Sequence, residues 1–396
     1  MRILIVATSS RGGAGIAAVR SFEALKESGL DVGFISLDLN KAVTFTSPNF
    51  LKKTWAVFQR KALTAFQRFL VQNSKALITS LGFDSMSWIY KNVFNNYDVI
   101  HIHAFYNLTK IEEIAKLSTS SKKVIVTLHD ERLFTGGCHY SGHCAGYQSD
   151  CRGCPLVRTA FKALPKRSLE STLKTLQSAS HIEFVAPSSW LAEKASLSAA
   201  LKARIVHVIS NPIPQIFSPA LGDKTSASID NLSIGFNAYS VDNPLKGFLV
   251  LRGALEKLSE NDKSKIHLKV ASQSRSIVGI DGVRMDLVAP NSDRELREFY
   301  ESIDLLVVPS LQDNSPSVIG EALASGIPVF GSDVGGIPEI LERFGQRVFA
   351  SGNAEDLSRK ISDALCFGLP TIDHDKVRFE FSANSYARRI TELYSI

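Results

Sequence analysis

The 396-residue sequence has no run of about 18 uninterrupted apolar residues, which excludes a membrane-spanning helix. Charge of one sign is also scarce. The net charge is +6, too small an excess to mark a nucleic-acid binder, and none is expected as a partner. The opening residues are not expected to be a secretory leader. Met1 to Ser10 holds one basic residue and a short apolar run, then enters Arg11-Gly12-Gly13-Ala14-Gly15, which reads as a strand and loop. A cytoplasmic location is the expectation. No repeat of 20–50 residues occurs, so solenoids and propellers are set aside. Apolar residues at 44% and charged residues at 21% are those of a globular chain, and the length suits two domains.

Cysteine is sparse too, at five residues, but four of them fall within 17 positions: Cys138, Cys144, Cys151 and Cys154. A disulfide scaffold does not suit a large cytoplasmic chain with its own core. The spacing C-x5-C-x6-C-x2-C leaves three readings open: a structural zinc site, disulfides or free thiols, and an iron–sulfur cluster. His139 or His143 can replace one thiolate.

Short β-branched runs alternate with longer amphipathic stretches, the βαβ pattern of a parallel sheet. Strands are expected at Arg2–Ala7, Val32–Leu37, Asp98–His103, Lys123–Leu128, Ile182–Ala186 and Arg204–Ile209. Helices are expected at Ala14–Glu27, Lys166–Ser178 and Ser189–Leu197. Pro212, Pro214 and Pro219, followed by a polar run to Asp230, read as an interdomain linker. A second series follows, with strands at Ser233–Phe236, Ile266–Val270, Arg284–Leu287, Asp304–Val308 and Pro328–Gly331. Its helices are Phe248–Ser259, Asp293–Ser302, Pro316–Ser325 and Glu355–Cys366, and Ser382–Tyr394 also reads as helical. The expected fold class is α/β: two doubly wound Rossmann-like domains facing across a cleft, over 1–213 and 214–380, with a C-terminal helix in 381–396 packing back on the first domain.

The segment 41–83 stands apart. It carries Lys41, Lys52, Lys53, Arg60, Lys61, Arg68 and Lys75 with no acidic residue, beside an apolar stripe from Leu51 to Leu70 at steps of three and four. It reads either as a core-packed helix with a solvated basic face or as a surface for anionic lipid headgroups.

Three places can carry chemistry. Gly13-Ala14-Gly15-Ile16-Ala17-Ala18 fits the dinucleotide pattern G-x-G-x-x-A, with Asp38 twenty residues on, and opens the alternative of a nicotinamide-dependent oxidoreductase. His101 and His103 share one strand face, and a structural role is favoured over metal binding. The densest stretch runs from Pro309 to Val329. There Ser315 is a candidate N-cap and Pro316 a first helical residue, so the N–H groups of Ser317 and Val318 are free for a diphosphate. Asp313 and Glu321, eight residues apart, suit sugar hydroxyls rather than phosphate.

That stretch resembles the acidic E-x7-E motif of retaining nucleotide-sugar glycosyltransferases of GT-B fold, in the large family four. Thr127-Leu128-His129-Asp130, Phe134 to Tyr140, Ala186 to Trp190, Ser210 to Ile213 and Lys246-Gly247 are similar to a branch acting in bacterial exopolysaccharide and capsule synthesis, of the colanic-acid type. Asp313 stands where the family has Glu, and the stretch Phe236 to Ser240 before Lys246 lacks the Arg of many relatives, so one diphosphate contact is unassigned. The resemblance implies that Glu321 binds the ribose, Asp313 the donor sugar and Lys246 the diphosphate. Gly13 and Gly15 would shape the floor under the donor, and His129 would face the transferred sugar. It also implies a UDP- or GDP-sugar donor, a glycan or lipid-linked acceptor, retention of configuration and no cofactor for catalysis, so any zinc is structural. A peripheral place at the inner face of the plasma membrane follows from the basic insert. A non-catalytic sugar-nucleotide-binding relative is the further alternative, suggested by Asp313.

Overall fold

The computed structural model describes residues 1–36, 93–106, 108–118, 122–218, 230–274 and 276–395. The basic segment 41–83 and Asp38 lie outside them. The chain divides into two compact units. The first holds Met1–Pro212 with Tyr386–Ile396, and the second Ile213–Ser385.

Strands β1 (Arg2–Ala7), β2 (Asp31–Ile35), β3 (Val99–Ala104), β4 (Lys123–Thr127), β5 (Ile182–Ala186) and β6 (Val206–Val208) form the sheet of the first unit. Their order is β2-β1-β3-β4-β5-β6, and every pair is parallel. Parallel strands covered on both faces read as unbroken apolar runs, and β1 is buried from Ile3 to Ala7. Leu4, Val6, Ile100, Ile102, Val124 and Val126 point to one face. There they pack with Leu169 and Leu176 of the helix Ala163–Ser178 and with Leu191 and Ala195 of the helix Ser189–Leu197.

The second sheet is built from β7 (Leu232–Asn237), β8 (Ile266–Ala271), β9 (Arg284–Val288), β10 (Leu305–Val308), β11 (Val329–Ser332) and β12 (Arg347–Phe349). Its order is β12-β11-β10-β7-β8-β9, again all parallel. The period of two splits its core. Leu305 and Val307 face Leu251, Leu255 and Ile361 on one side. Leu306 and Val308 face Ile319, Leu323 and Leu341 on the other. Strand order reverses between β7 and β10, and ligands of doubly wound sheets bind beside the carboxyl ends at such a switch point.

Several expectations change. The helix expected over Ser382–Tyr394 is preceded by another, His374–Phe381, and begins at Ala383. Ser382 between them is extended, and its hydroxyl accepts the Ser385 N–H at 3.1 Å. The proline-rich stretch is more than a linker. Ile213 N–H donates to the Phe381 carbonyl at 2.8 Å, and Phe217 is fully buried in the second core. The helix expected from Pro316 begins at Ser317. Its N-cap is Pro316, extended at ψ 118°, and not Ser315. With ψ 118° Pro316 lies outside helical geometry and takes the cap position itself, which leaves Ser315 one residue further from the first turn.

Candidate functional site

The loops that follow β7 and β10 meet at the switch point of the second sheet. After β7 the chain makes a short 3-10 turn, Pro244–Lys246, capped by Asn243, whose side chain accepts the Leu245 N–H. Gly247 then adopts φ +70°, and a Cβ there would lie 1.8 Å from the Pro309 carbonyl oxygen. Only glycine admits this approach, which seats one loop on the other. Leu311 N–H donates to the Leu245 carbonyl at 2.8 Å and fastens the pair.

This packing brings Lys246 Nζ to 2.6 Å from Asp313 Oδ2, with the lysine side chain 35% exposed and the aspartate 10%. Asp313 Oδ1 accepts the Asn314 N–H at 3.0 Å. Gly335 supports the loop from below: at φ +62° its Cβ would fall 1.5 Å from the Asp313 carbonyl oxygen. The helix Ser317–Ala324 starts directly after the loop, and its first N–H groups belong to Ser317 and Val318. Glu321 is its fifth residue. Glu321 is buried, and its Oε2 accepts the Tyr300 hydroxyl at 2.7 Å. Tyr300 in turn accepts from Asn237 Nδ2 at 3.0 Å, at the end of β7. Asn237 and Tyr300 were not singled out from sequence. The signal was a tyrosine at the end of an apolar helix stripe (Leu296, Phe299, Tyr300), whose hydroxyl needs a partner once buried.

A second cluster belongs to the first unit. His129, two residues past β4, places Nε2 at 2.9 Å from His103 Nδ1, and the rings stack with centroids 5.2 Å apart. His101 is saturated, with Nδ1 at 2.8 Å from the Tyr394 hydroxyl and Nε2 at 2.7 Å from Thr127 Oγ1. Burial holds all three imidazoles in the neutral form: His101 is pushed down to about 3, His129 to about 4, and His103 well below its ordinary value. Burial works against the Asp130 carboxylate, yet His139 Nδ1 at 2.7 Å and the Arg132 N–H hold its pKa below the usual range. Beside Tyr106 and Arg132 a cavity of about 200 Å³ opens, lined also by Lys110, Arg167, Ser168 and Ser171.

Gly13 and Gly15 fall inside the first turn of the helix Gly12–Glu27, after the loop Thr8–Arg11. Gly15 is tightly packed, since a Cβ there would sit 2.4 Å from the Ser9 carbonyl oxygen, whereas Gly13 faces open space. The dinucleotide fingerprint needs its first glycine at the strand end, so the oxidoreductase reading loses its footing.

The four clustered cysteines are free thiols. The Cys138 thiol donates to Cys154 and, with the Leu156 and Val157 N–H groups, holds that thiol down at about 6 against the effect of burial. Burial pushes Cys151 up to about 11. Gly136 N–H donates to Cys151 Sγ at 3.1 Å, and Gly146 N–H to Cys144 Sγ at 3.5 Å. Among the described residues no group of three or more His, Cys, Asp or Glu side chains is arranged to hold a metal ion. Glu131 anchors the loop: it is buried and takes Lys194 Nζ at 2.9 Å and the Ser141 N–H at 3.0 Å.

Residues 233–366 match the family model described as Glycosyl transferases group 1. That segment contains Lys246, Asp313, Tyr300 and Glu321. The putative colanic acid biosynthesis glycosyl transferase WcaC of Escherichia coli K12 is 24% identical over 270 residues, 62% of each protein, so the chain spans under two thirds of that relative's length. Among solved structures, HepE of Anabaena in complex with UDP and glucose superposes with a TM-score of 0.60 at 15% identity, covering 100% of this chain and 99% of that one. Sucrose-phosphate synthase of Thermosynechococcus elongatus gives 0.60 at 16% identity, covering 100% and 98%. The fold is the two-sheet α/β architecture of the GT-B glycosyltransferases.

Proposed function

We propose that this chain is a retaining glycosyltransferase. It moves a sugar from a UDP- or GDP-sugar to a glycan or lipid-linked glycan acceptor in the synthesis of a bacterial surface polysaccharide. The observation that carries the reading is the convergence of Lys246, Asp313, Glu321 and the Ser317–Val318 helix end at the switch point of the second sheet, within the matched segment. Cleavage of a sugar–phosphate bond builds negative charge on the departing diphosphate. An ammonium group and a helix N-terminus are the groups that stabilise it. Glu321, held by Tyr300, takes the ribose hydroxyls, and Asp313 the donor sugar. The family resemblance gives His129 to the transferred sugar and the first unit, which holds the cavity at Lys110 and Arg167, to the acceptor. UDP and glucose in the HepE structure and the colanic-acid role given to WcaC support this choice of donor and product class.

The same proposal puts the chain in the cytoplasm, with the basic segment 41–83 bringing it to anionic lipid. Zinc enters only as a scaffold for the cysteine loop. One zinc per purified chain is the supporting result.

The test is a thermal-shift screen against UDP-, GDP- and ADP-sugars, since a ligand of the native state raises the melting temperature. It is followed by sugar transfer with Lys246→Ala and Glu321→Gln. Glutamine keeps an acceptor for Tyr300, so the fold is preserved. Lys246→Ala is expected to lose at least about 100-fold in turnover, the scale for removing one preorganised contact to developing charge, and Glu321→Gln, which replaces a charged acceptor at the ribose hydroxyls by a neutral one, to lose most transfer at low donor concentration. Turnover near wild type in both defeats the assignment.

A further inference from the structure

His103 has one nitrogen without an occupation. The side chain is buried, its Nδ1 lies 2.9 Å from His129 Nε2, and among the described residues its own Nε2 is buried with no hydrogen-bond partner. The register of the sheet produces the contact. His101 pairs with Ile125 across β3 and β4, so odd-numbered residues of both strands share a face, and His103 meets the side chain just past the strand end. His101, on the same face, has both nitrogens satisfied. Of the two imidazoles on this strand face, His103 is the one that carries an orphan atom.

A neutral imidazole carries one N–H donor and one bare lone pair, so only one of the two facing nitrogens holds a proton. If His129 Nε2–H donates, His103 must carry its own proton on Nε2, leaving a donor buried with nothing to receive it. If His103 Nδ1–H donates, the orphan is a lone pair. Among backbone groups a buried N–H is left orphaned less often than an acceptor, and the same preference selects the second arrangement here. We propose that His103 is a positioning residue: it donates from Nδ1 to His129 Nε2, fixes His129 as the Nδ1–H tautomer, and makes His129 a hydrogen-bond donor to its ligand. The functional half of this inference rests on the reading of His129 as the residue that faces the transferred sugar. There a donor serves the reaction better than a base. The sugar hydroxyls keep their protons throughout, and a bare imidazole nitrogen beside an electron-poor anomeric carbon would compete with the acceptor as a nucleophile.

The tautomer is read on the full-length wild-type protein by ¹⁵N NMR with labelled histidine, which needs no activity. A bare Nε2 on His129 is expected, and a proton on that atom overturns the proposal whatever the kinetics. Transfer assays read the consequence. His103→Leu is expected to lower kcat about tenfold to a hundredfold while KM values move less than about threefold, the range for removing an orienting partner of an active group. His103→Asn, whose amide nitrogen stands in for Nδ1, is expected to recover most of that loss. In a His129→Ala background His103→Leu should add nothing, because the two act as one unit. An equal loss in the Leu and Asn variants, or an undiminished loss in the His129→Ala background, reduces His103 to packing and refutes the positioning role. Should His103→Leu fail to fold, the asparagine variant and the wild-type spectrum still decide. If no nucleotide sugar is turned over at all, the functional reading falls while the tautomer result stands.

Discussion

Three imidazoles kept neutral inside the first unit make that unit sensitive to acid. Their folded pKa values lie below the unfolded value near 6.5, at about 3 for His101 and about 4 for His129. The unfolded chain therefore binds more protons in this range, and the stability contributed by the neutral rings is present above about pH 6.5 and lost as pH falls toward 4. The melting temperature is expected to decline across that window, and His129→Asn should flatten the decline. Equal slopes for the variant and wild type would show that other groups dominate. Tyr394→Phe leaves His101 Nδ1 without its 2.8 Å partner and is expected to cost about 1–3 kcal/mol, measured by denaturant unfolding.

Among the elements, the two loops at the switch point are the most constrained. Gly335 is pinned twice, by its left-handed φ and by the Asp313 carbonyl that a Cβ would strike. Gly335→Ala should therefore destabilise the second unit by at least about 2 kcal/mol and weaken donor binding as the Asp313 loop shifts. An unchanged midpoint in a urea titration, with unchanged donor affinity, would count against that coupling. The same region separates what sequence reveals from what it conceals. Asp313 and Glu321 sit in one local signal, the loop and helix that follow a buried strand, whereas Lys246 was legible through the family resemblance. Tyr300 and Asn237 reach the same site only through tertiary packing, 63 residues apart, and no local pattern announces their bond. The central strands were legible because buried parallel strands are apolar throughout, as in Leu305–Val308, and the outer strands because polar residues alternate with apolar ones, as in Ile266–Ala271. The three-residue edge strand β12 was not, since Arg347-Val348-Phe349 is too short to establish a period. The contact of His103 with His129 was hidden for a similar reason: alternation gives the face of each strand, while the register between strands is a tertiary fact.

At the scale of the whole molecule the first unit is discontinuous. Its sheet comes from residues before Pro212, but its packing includes Tyr386, Ala387, Ile390, Leu393 and Tyr394, all buried. At roughly 1.5–3 kcal/mol for each large apolar side chain, these residues contribute an amount comparable with the whole stability of a domain. Truncation after Ser385 is expected to unfold the first unit and leave the second melting cooperatively, as seen by calorimetry and limited proteolysis. Survival of both transitions would overturn that assignment of the tail. Because the closing helix is made after the whole of the second unit, the earlier-made half must wait, incompletely sealed, while the second unit is synthesised and can fold first. A polypeptide arranged in this way matures in reverse of its order of synthesis, and its long-exposed first sheet is where chaperone dependence should concentrate.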